Sequence, residues 1–454
     1  MPQSHPSKDR PGRGRGLARR EFLASAAAAG ALAAAPTVVG ASTLGLGGAC
    51  APSDKIVMGG IGIGNRGRGD LDWIMGTGQV QMVAVCDPNV KRREAVKKMV
   101  DDKYKNQDCK VYSNINEYLA ARTDIDLMLV TTGDRWHAYA SILAMRAGKD
   151  VYSEKPGTMT IAEGQALVAA ERHYGRVFQT GTQRRAEYNF VVADELARQG
   201  RLGKVHTVYA STLVFKMMTS WLPAQPEPPR EQLDWNMWLG PAPWRPYNKG
   251  YLGGCGAFLD YYDFGTGVAG WGSHTVCQCQ GAIEADLTSP VDYEYPNNDT
   301  SHNFVARFAG GVKLVMDLAP APWGNPPDNG LWHGYCGVKY AGSEGWVSIA
   351  DGYRAPEVSS PALLADHKKL VADYLERNQR PLGHMRDFLN CIKTRRKPVS
   401  HAEVAHRSMS TCHIINISML LRRNLKWDPV REEFANDPEA NRMRSRAVRE
   451  PWRL

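Results

Sequence analysis

The stretch IVMGGIGIGNRG, residues 56–67, decides the fold of this chain. An apolar run ends in glycines spaced Gly62-x-Gly64-x-x-Gly67, and a helical pattern follows through Leu71 and Ile74. Glycines at this spacing permit a tight turn, the close approach of a pyrophosphate and close packing of the helix on the strand. Free N–H groups at the helix start would face the phosphates. The position between strand and helix predicts a dinucleotide site.

The chain continues as alternating strands and helices to about residue 180. Apolar runs at 80–86, 127–131, 150–152 and 177–179 predict strands, and amphipathic patterns at 91–100, 137–147 and 161–174 predict helices. This alternation predicts an α/β domain over residues 54–180, with a parallel sheet covered on both faces.

Asp87 ends the second predicted strand, 20 residues after Gly67. A carboxylate at this position accepts hydrogen bonds from the ribose hydroxyls of the cofactor. Because it would repel a 2′-phosphate, Asp87 favours NAD over NADP. The neighbouring basic residues Lys91, Arg92 and Arg93 soften that preference and leave NADP open.

Glu154-Lys155-Pro156 follows the glycine turn by about 90 residues, just after the strand predicted at 150–152. A lysine at this edge of the sheet lies beside the cofactor, where it can give or take a proton during hydride transfer. The alternative is a structural lysine paired with Glu154. Pro156 fixes the turn and favours extended geometry at Lys155.

Composition excludes several other classes of protein. The net charge is +9, but the first 50 residues hold six basic and two acidic residues, so the remainder carries only about +5. No basic stripe with interleaved aromatics is present, which argues against nucleic-acid binding. The nine cysteines match no zinc motif, so no metal is expected.

Residues 1–50 read as an export signal and spacer. Arg19-Arg20 precedes Phe22-Leu23 and an alanine-rich apolar segment, which resembles a twin-arginine signal and predicts a periplasmic protein. Cys50 is a candidate for lipid attachment, although Gly47 stands where a leucine is expected. Outside the cytoplasm no free cofactor pool can be assumed, so we expect the nicotinamide cofactor to be tightly held.

Four motifs in this order resemble those of the Gfo/Idh/MocA oxidoreductase family, and of its exported Bacteroidetes- and Planctomycetes-type members in particular. They are Thr131-Thr132-Gly133-Asp134-Arg135-Trp136-His137, Glu154-Lys155-Pro156, Gly181-Thr182-Gln183-Arg184 and Gly272-Ser273-His274. The resemblance extends from residue 54 to the C-terminus. It implies a Rossmann NAD(P)-binding domain followed by an α+β domain, residues 181–454, with an open-faced, mainly antiparallel sheet. The implied substrates are sugars, cyclitols and their derivatives.

The resemblance also implies the residues of the site. Lys155 and His274 are the catalytic candidates, with a structural histidine as the alternative for His274. The substrate candidates are Arg184, Asp260 and Trp271. The cofactor candidates are Gly62, Gly64, Asn65, Arg66, Gly67, Asp87, Thr131, Thr132, Asp134, His137, Glu154, Lys155 and Gln183.

Two positions depart from the family pattern. Gly270 and Cys277 stand where sugar dehydrogenases of this family commonly carry aspartates. A glycine has no carboxylate to partner Lys155, so either Lys155 and His274 suffice or the reaction differs. Asp260 and Asp263, shortly upstream, are the candidates for a replacement carboxylate.

The second half of the chain reads as longer strands with terminal helices. Ala309-Gly310-Gly311 predicts a hairpin. Residues 221–247, rich in tryptophan and proline, read as an ordered loop with buried anchors, or alternatively as a sugar-stacking wall. Substrate specificity is expected in residues 221–261 and 323–329. An open sheet face predicts a homo-oligomer.

Three functions follow from this reading. The first is an NAD(P)-dependent oxidoreductase that acts on a sugar-like substrate with Lys155 as acid/base. The second is a glycoside-cleaving enzyme that oxidises its substrate transiently, eliminates the neighbouring group and returns the hydride. The third is a non-catalytic sugar-binding relative.

Overall fold

The computed structural model of the protein describes residues 50–212, 216–296, 304–317, 337–352 and 354–453. The chain divides into two units, Met1–Asp54 and Lys55–Leu454. The described part of the first unit ends in a single 3-10 turn, Pro52–Asp54. The twin-arginine segment and the predicted specificity loop at 323–329 lie outside the described residues.

Six parallel strands form the first sheet, in the order β3-β2-β1-β4-β5-β6. They are β1 (Ile56–Ile61), β2 (Val80–Cys86), β3 (Lys110–Tyr112), β4 (Leu127–Val130), β5 (Asp150–Ser153) and β6 (Phe178–Thr180). The chain reverses direction across the sheet between β1 and β4. In open parallel sheets, ligands bind at the carboxyl ends of the strands beside such a reversal.

Helices cover both faces of this sheet. They are α1 (Asn65–Gly76), α2 (Val90–Tyr104), α3 (Ile115–Ala121), α4 (Asp134–Arg146) and α5 (Ile161–Tyr174). The neighbouring residues Ala84 and Val85 of β2 are both fully buried, in core clusters on opposite faces. Thr160 caps α5 by accepting a hydrogen bond from the Glu163 N–H, and Gly175 ends it with a left-handed φ of +59°.

Among the residues that the structure describes, nine strands form the second sheet, in the order β13-β12-β11-β7-β10-β9-β8-β14-β15. All neighbours are antiparallel except β7 and β10. The strands are β7 (Val205–Ser211), β8 (Asp292–Glu294), β9 (Phe304–Arg307), β10 (Lys313–Asp317), β11 (Val338–Gly342), β12 (Trp346–Ile349), β13 (Glu357–Val358), β14 (Leu425–Asp428) and β15 (Glu433–Phe434).

The remaining helices of the described residues follow β6 in the chain. They are α6 (Tyr188–Arg198), α7 (Trp235–Leu239), α8 (Cys255–Phe258), α9 (Ala269–Ala282), α10 (His367–Asn378), α11 (His384–Thr394), α12 (Ala402–Leu421) and α13 (Pro438–Arg442). The long helix α12 packs on both α5 and α9. It therefore ties the start of α9, which carries His274, to the first sheet.

The fold class predicted from the sequence is confirmed. The 309–311 hairpin also forms, with Gly311 at a φ of +86° between β9 and β10. The sequence analysis missed β3 and α3, which are short and only partly apolar. Both sheets belong to the single unit 55–454, so the proposed division at residue 180 stays a prediction.

Candidate active site

A cavity of about 620 Å³ opens at the carboxyl ends of the first sheet. One end is lined by Asp87, and the other by Lys155, Trp271 and His274. This volume lies within the usual range for small-molecule sites. The further predicted residues that line it are Gly62, Gly64, Asn65, Arg66, Gly67, Thr131, Thr132, Asp134, His137, Glu154 and Arg184.

The glycine turn packs directly against the segment that follows β4. Gly62 has a φ of +67°, and a Cβ there would lie 2.4 Å from Thr132 Cγ2 and 2.8 Å from its Cα. A Cβ on Gly67 would lie 2.0 Å from Thr131 Oγ1. Any side chain at either position would displace these neighbours, so the turn requires glycine for conformation and for space.

Asp87 lies buried at the end of β2, where its carboxylate accepts a hydrogen bond of 2.8 Å from the Asn89 N–H. Burial raises the pKa of Asp87 to about 6, while the Asn89 N–H and the guanidinium groups of Arg92 and Arg93 oppose that shift. The Arg92 side chain donates to the Leu252 carbonyl at 3.0 Å and also lines the cavity.

These features fit a dinucleotide. A glycine cradle that a Cβ would fill lies next to the N-terminus of α1, and a buried carboxyl ends the following strand. The glycine turn and the N–H groups of α1 would hold the pyrophosphate. Asp87 would accept from the ribose hydroxyls. Because the positive charge of Arg92 lies close to the negative charge of Asp87, the charge of Asp87 does not by itself exclude the 2′-phosphate of NADP.

His137 connects the segment after β4 to the turn that carries Lys155. Its Nδ1 lies 2.6 Å from the Pro156 carbonyl and its Nε2 lies 3.1 Å from the Thr132 carbonyl. A neutral imidazole can donate to only one of these two oxygens. Nearby, the Asp134 carboxylate accepts a hydrogen bond of 2.9 Å from Thr266 Oγ1, and burial raises the Asp134 pKa.

Acidic and basic groups alternate behind the glycine turn. Arg66 Nη2 lies 2.8 Å from the buried Asp70 carboxylate, and its Nε lies 3.6 Å from Glu154 Oε1. Burial, followed by the charge of Glu154, raises the Asp70 pKa. Gln183 donates to Glu154 Oε1 at 2.9 Å and to the Tyr152 hydroxyl at 3.1 Å. Gln183 therefore holds the Glu154 carboxylate in place, and the Arg66 guanidinium lies near the same carboxylate oxygen.

Lys155 reaches from the end of β5 to the start of α9. Its Nζ donates a hydrogen bond of 2.8 Å to the Gly270 carbonyl and lies 4.9 Å from the centre of the Trp271 ring. The Lys155–Pro156 peptide bond is cis. The position where the family pattern has an aspartate thus contributes a backbone carbonyl, which is neutral. The amine is held in place without a charged partner from α9.

His274 lies in α9 and is 3% exposed. Arg184 Nη1 lies 3.2 Å from its Nε2 and 3.3 Å from its Nδ1. Burial lowers the pKa of His274 well below its usual value, and the positive charges of Arg184 and Lys155 add to that effect. His274 is therefore a neutral imidazole at physiological pH, in which one ring nitrogen donates a hydrogen bond and the other accepts one.

Asp351, which was not predicted from the sequence, does not line the cavity but contacts the site through Arg184. It follows β12 and accepts two hydrogen bonds from Arg184, one of 2.9 Å from Nε and one from Nη2. The remaining nitrogen, Nη1, also donates to Gln183 Oε1 at 3.0 Å. No sequence motif marks Asp351, because it lies 167 residues from Arg184 along the chain.

Two predicted site residues do not line the cavity. Gln183 is buried behind Glu154 and is linked to the cavity through the side chains of Glu154 and Arg184. Asp260 is turned away, because its carboxylate accepts from the Lys216 N–H at 3.0 Å and lies 3.8 Å from Lys216 Nζ. Asp263 pairs instead with Arg245. Neither aspartate supplies the carboxylate that Gly270 lacks.

Residues 216–264, the covering segment, lie over the cofactor end of the cavity. The segment folds around its own aromatic core, in which Trp235 and Trp238 stack with ring centres 4.6 Å apart. Both are buried, whereas Trp244 is half exposed. Trp235 and Trp238 therefore act as buried anchors. Trp238 also lines the cavity, where its ring is stacked on Trp235 and lies 3.7 Å from the Arg135 guanidinium.

Hydrogen bonds fasten the covering segment to the first sheet and its helices. The Val90 N–H donates to the Gln232 carbonyl at 3.0 Å, and Trp136 Nε1 donates to the Met237 carbonyl at 3.1 Å. Arg135 donates twice to the Trp238 carbonyl. Gly253, Gly254 and Phe258 of the segment line the cavity directly. A bound dinucleotide would be enclosed on this side.

Within the described ranges, no three His, Cys, Asp or Glu side chains converge as a metal site would require. Nor does any helix in that part of the chain combine the length and apolarity needed to cross a membrane.

Two family models match the chain. The model described as "Oxidoreductase family, NAD-binding Rossmann fold", of the Gfo/Idh/MocA family, matches residues 56–182. Its companion, "Oxidoreductase family, C-terminal alpha/beta domain", matches residues 199–316 and 362–454. Together the two matches cover the six strands of the first sheet and include Lys155, Trp271 and His274, whereas Arg184 and strands β11 to β13 lie outside the matched ranges.

Individual relatives match over shorter stretches. Inositol 2-dehydrogenase of Salmonella typhimurium is 30% identical over 146 residues, which cover 32% of this chain and 42% of that protein. Glycosyl hydrolase family 109 protein 1 of Bacteroides fragilis is 34% identical over 118 residues, 25% of each chain. The chain thus spans less than half the length of these relatives.

The solved structures share the fold at lower identity. The WlbA dehydrogenase of Bordetella pertussis, crystallised with NADH and UDP-GlcNAcA, superimposes with a TM-score of 0.57 at 16% identity. The match covers 82% of this chain and 99% of that one.

Proposed function

Because the chain belongs to the Gfo/Idh/MocA family of oxidoreductases, we propose that it transfers hydride between a nicotinamide cofactor and a hydroxyl or keto carbon of a sugar, a cyclitol or a derivative. The observation that carries this proposal is the single cavity that joins the Asp87 end to Lys155, Trp271 and His274. When bound, NAD supplies the hydride acceptor, and the protein supplies the proton chemistry.

Lys155 moves the proton. Loss of hydride from a carbinol carbon requires the hydroxyl proton to leave, and a positioned amine accepts it. The Gly270 carbonyl orients this amine, and His274 binds the same hydroxyl as a neutral hydrogen-bond partner. The face of Trp271 offers an apolar surface for the C–H groups of a sugar ring. In the reverse direction Lys155 returns the proton.

The comparisons support this substrate class. One relative is an inositol 2-dehydrogenase, and one structural neighbour was crystallised with a nucleotide sugar. Cyclitols and sugars share a ring of secondary hydroxyls, which suits a site with one proton-transfer group, one neutral histidine and one aromatic side chain in the cavity wall.

A second candidate function is glycoside cleavage without net oxidation. Transient oxidation of a sugar hydroxyl would acidify the neighbouring C–H, the glycosidic substituent would leave by elimination, and water addition with return of the hydride would complete the reaction. The similarity to glycosyl hydrolase family 109 proteins favours this candidate, as does the neutral carbonyl at the position of the usual aspartate.

We further propose that the protein is exported through the twin-arginine pathway and acts in the periplasm with a tightly held cofactor. Arg19-Arg20 and the alanine-rich segment after it support export. The covering segment supports cofactor retention, because it lines the cavity and is hydrogen-bonded to α2 and α4 beside the first sheet. Attachment of a lipid at Cys50 and assembly into a homo-oligomer are part of the same proposal.

The test of function follows the absorbance of the bound cofactor in purified full-length protein while sugars, cyclitols and glycosides are added. Persistent reduction supports the dehydrogenase. Release of a free sugar and its leaving group without net reduction supports glycoside cleavage. A nucleotide that stays oxidised with no product from any compound would contradict both and leave a non-catalytic binder.

The test of location compares the full chain with an Arg19→Lys, Arg20→Lys variant in a bacterium that has the twin-arginine pathway. The proposal predicts periplasmic protein for the natural chain and cytoplasmic retention for the variant. Equal distribution of the two proteins would refute export by this pathway.

A further inference from the structure

The charge of Arg184 at the substrate end of the cavity is already neutralised within the protein. Its Nε and Nη2 face the two carboxylate oxygens of Asp351, in the two-pronged arrangement by which arginine binds carboxylates. Both side chains are largely buried, Arg184 at 16% and Asp351 at 27% exposure. A sugar acid bound next to His274 would meet the same guanidinium and would have to compete with Asp351 for it.

The other cations at this end are also engaged. Arg66 contacts Asp70 and Glu154, and Lys155 donates to the Gly270 carbonyl. Of the positive side chains that line this end in the described part of the chain, Arg184 is the one that makes two hydrogen bonds to a single carboxylate group. Glu187 adds a second carboxyl group near Arg184, and burial raises its pKa.

We propose that Asp351 is a specificity-determining residue, which occupies the guanidinium fork of Arg184 and thereby restricts the substrate to uncharged sugars or cyclitols. This inference rests on the proposed function and narrows its substrate class. A sugar carboxylate would lose its best partner to Asp351 and would also face the negative charge of Asp351 itself. A neutral hydroxyl is not repelled by Asp351 and can still form hydrogen bonds with His274 and Lys155.

The test measures binding, so that it does not depend on turnover. Full-length protein loaded with NADH is titrated with d-glucose and d-galactose, and with d-glucuronate and d-galacturonate, while the fluorescence of bound NADH is followed. The variants are Asp351→Asn and the double variant Asp351→Asn, Arg184→Gln. Asp366→Asn is the matched control, because Asp366 accepts two hydrogen bonds from Arg201 on the surface, of 2.9 and 3.1 Å.

The inference predicts that Asp351→Asn binds at least one hexuronate about 10- to 100-fold more tightly than the natural protein, because the freed fork gains a charge-assisted contact. Arg184→Gln in the same background should abolish the gain, and Asp366→Asn should show none. If Glu187 replaces Asp351 as the partner of Arg184, the variant Asp351→Asn, Glu187→Gln should show the gain instead.

Unchanged hexuronate binding in Asp351→Asn and in Asp351→Asn, Glu187→Gln, with NADH still bound, would overturn the inference. So would a natural protein that already binds hexuronates as tightly as neutral sugars. Failure of the proposed function has a different signature, since it would leave NADH unbound or the bound cofactor unreactive, whatever the charge of the sugar.

Discussion

The two ends of the cavity are built in different ways. The cofactor end comes from short, contiguous segments at the ends of neighbouring strands, with Gly62–Gly67 after β1, Asp87 after β2 and Thr131–His137 after β4. The substrate end is assembled across the chain. Lys155 meets the carbonyl of a residue 115 positions away, and Arg184 meets Asp351 at a separation of 167.

This difference sets what each end can tolerate. At the cofactor end, backbone conformation and the absence of a Cβ decide the geometry, so a single methyl group is disruptive. At the substrate end, side-chain hydrogen bonds between distant elements decide it, and the position equivalent to an aspartate can become glycine while the lysine still finds an acceptor. Substitutions at the cofactor end should therefore alter nucleotide binding alone, and substitutions at the substrate end should alter the reaction without altering nucleotide binding.

The largest expected effect is at Lys155. Lys155→Ala should lower the rate of cofactor reduction by the productive sugar about 10²- to 10⁴-fold, because the proton acceptor is lost. The nucleotide content should not change, since the cofactor end is untouched. Stopped-flow absorbance and release of nucleotide by denaturation measure the two quantities. A variant that loses nucleotide in proportion to activity would show that the two ends are not separable.

Gly67→Ala tests the cofactor end. The new Cβ would lie 2.0 Å from Thr131 Oγ1, and overpacking of this kind costs about 1–3 kcal/mol, so NADH should bind roughly 5- to 150-fold more weakly. Gly69→Ala is the matched control in the same helix, because a Cβ there meets nothing within 4 Å. Fluorescence titration with NADH compares them. Equal affinities would contradict the role assigned to the turn.

The raised pKa of Asp87 predicts that the affinity for NADH depends on pH. Its pKa is raised to about 6, and only the ionised carboxylate accepts from both ribose hydroxyls, so NADH affinity should rise about tenfold from pH 5 to pH 7 and then level off. The stability of the nucleotide-free protein changes in the opposite direction. Because the pKa of Asp87 is about 6 in the folded state and 3.8 ordinarily, the folded state binds more protons between these values, and the free energy of unfolding falls as the pH rises from 3.8 to about 6. Asp87→Asn should bind more weakly and remove both effects.

The smallest expected effect concerns the covering segment. Trp136→Phe removes one hydrogen bond to the Met237 carbonyl, worth about 1 kcal/mol, and should speed NADH dissociation about fivefold. Surface residue Trp73 offers the control Trp73→Phe, since it is 39% exposed. Displacement of bound NADH by excess NAD, followed by fluorescence, gives the rate. Equal NADH dissociation rates for the two variants would show that the covering segment does not contribute to cofactor retention.

Much of this structure could be predicted from sequence, for a physical reason. The glycine spacing, Asp87 and the Glu154-Lys155-Pro156 turn are local patterns that strand and helix geometry places at one sheet edge. Asp351 and the direction of Asp260 depend on how two sheets pack, which no local pattern encodes. The hydrogen bond from Lys155 to the Gly270 carbonyl could not be predicted for another reason. A comparison of sequences shows that the aspartate side chain is absent, but it does not show which backbone oxygen accepts in its place.

The most direct test of the central claim is an isotope transfer at the cavity itself. The natural protein is incubated with the productive sugar deuterated at its ring carbons, and the bound nucleotide is then released and examined by mass spectrometry. The account predicts deuterium on the nicotinamide of the natural protein and almost none for Lys155→Ala at equal nucleotide content. A nucleotide without deuterium, in a natural protein that nevertheless converts the sugar, would contradict it.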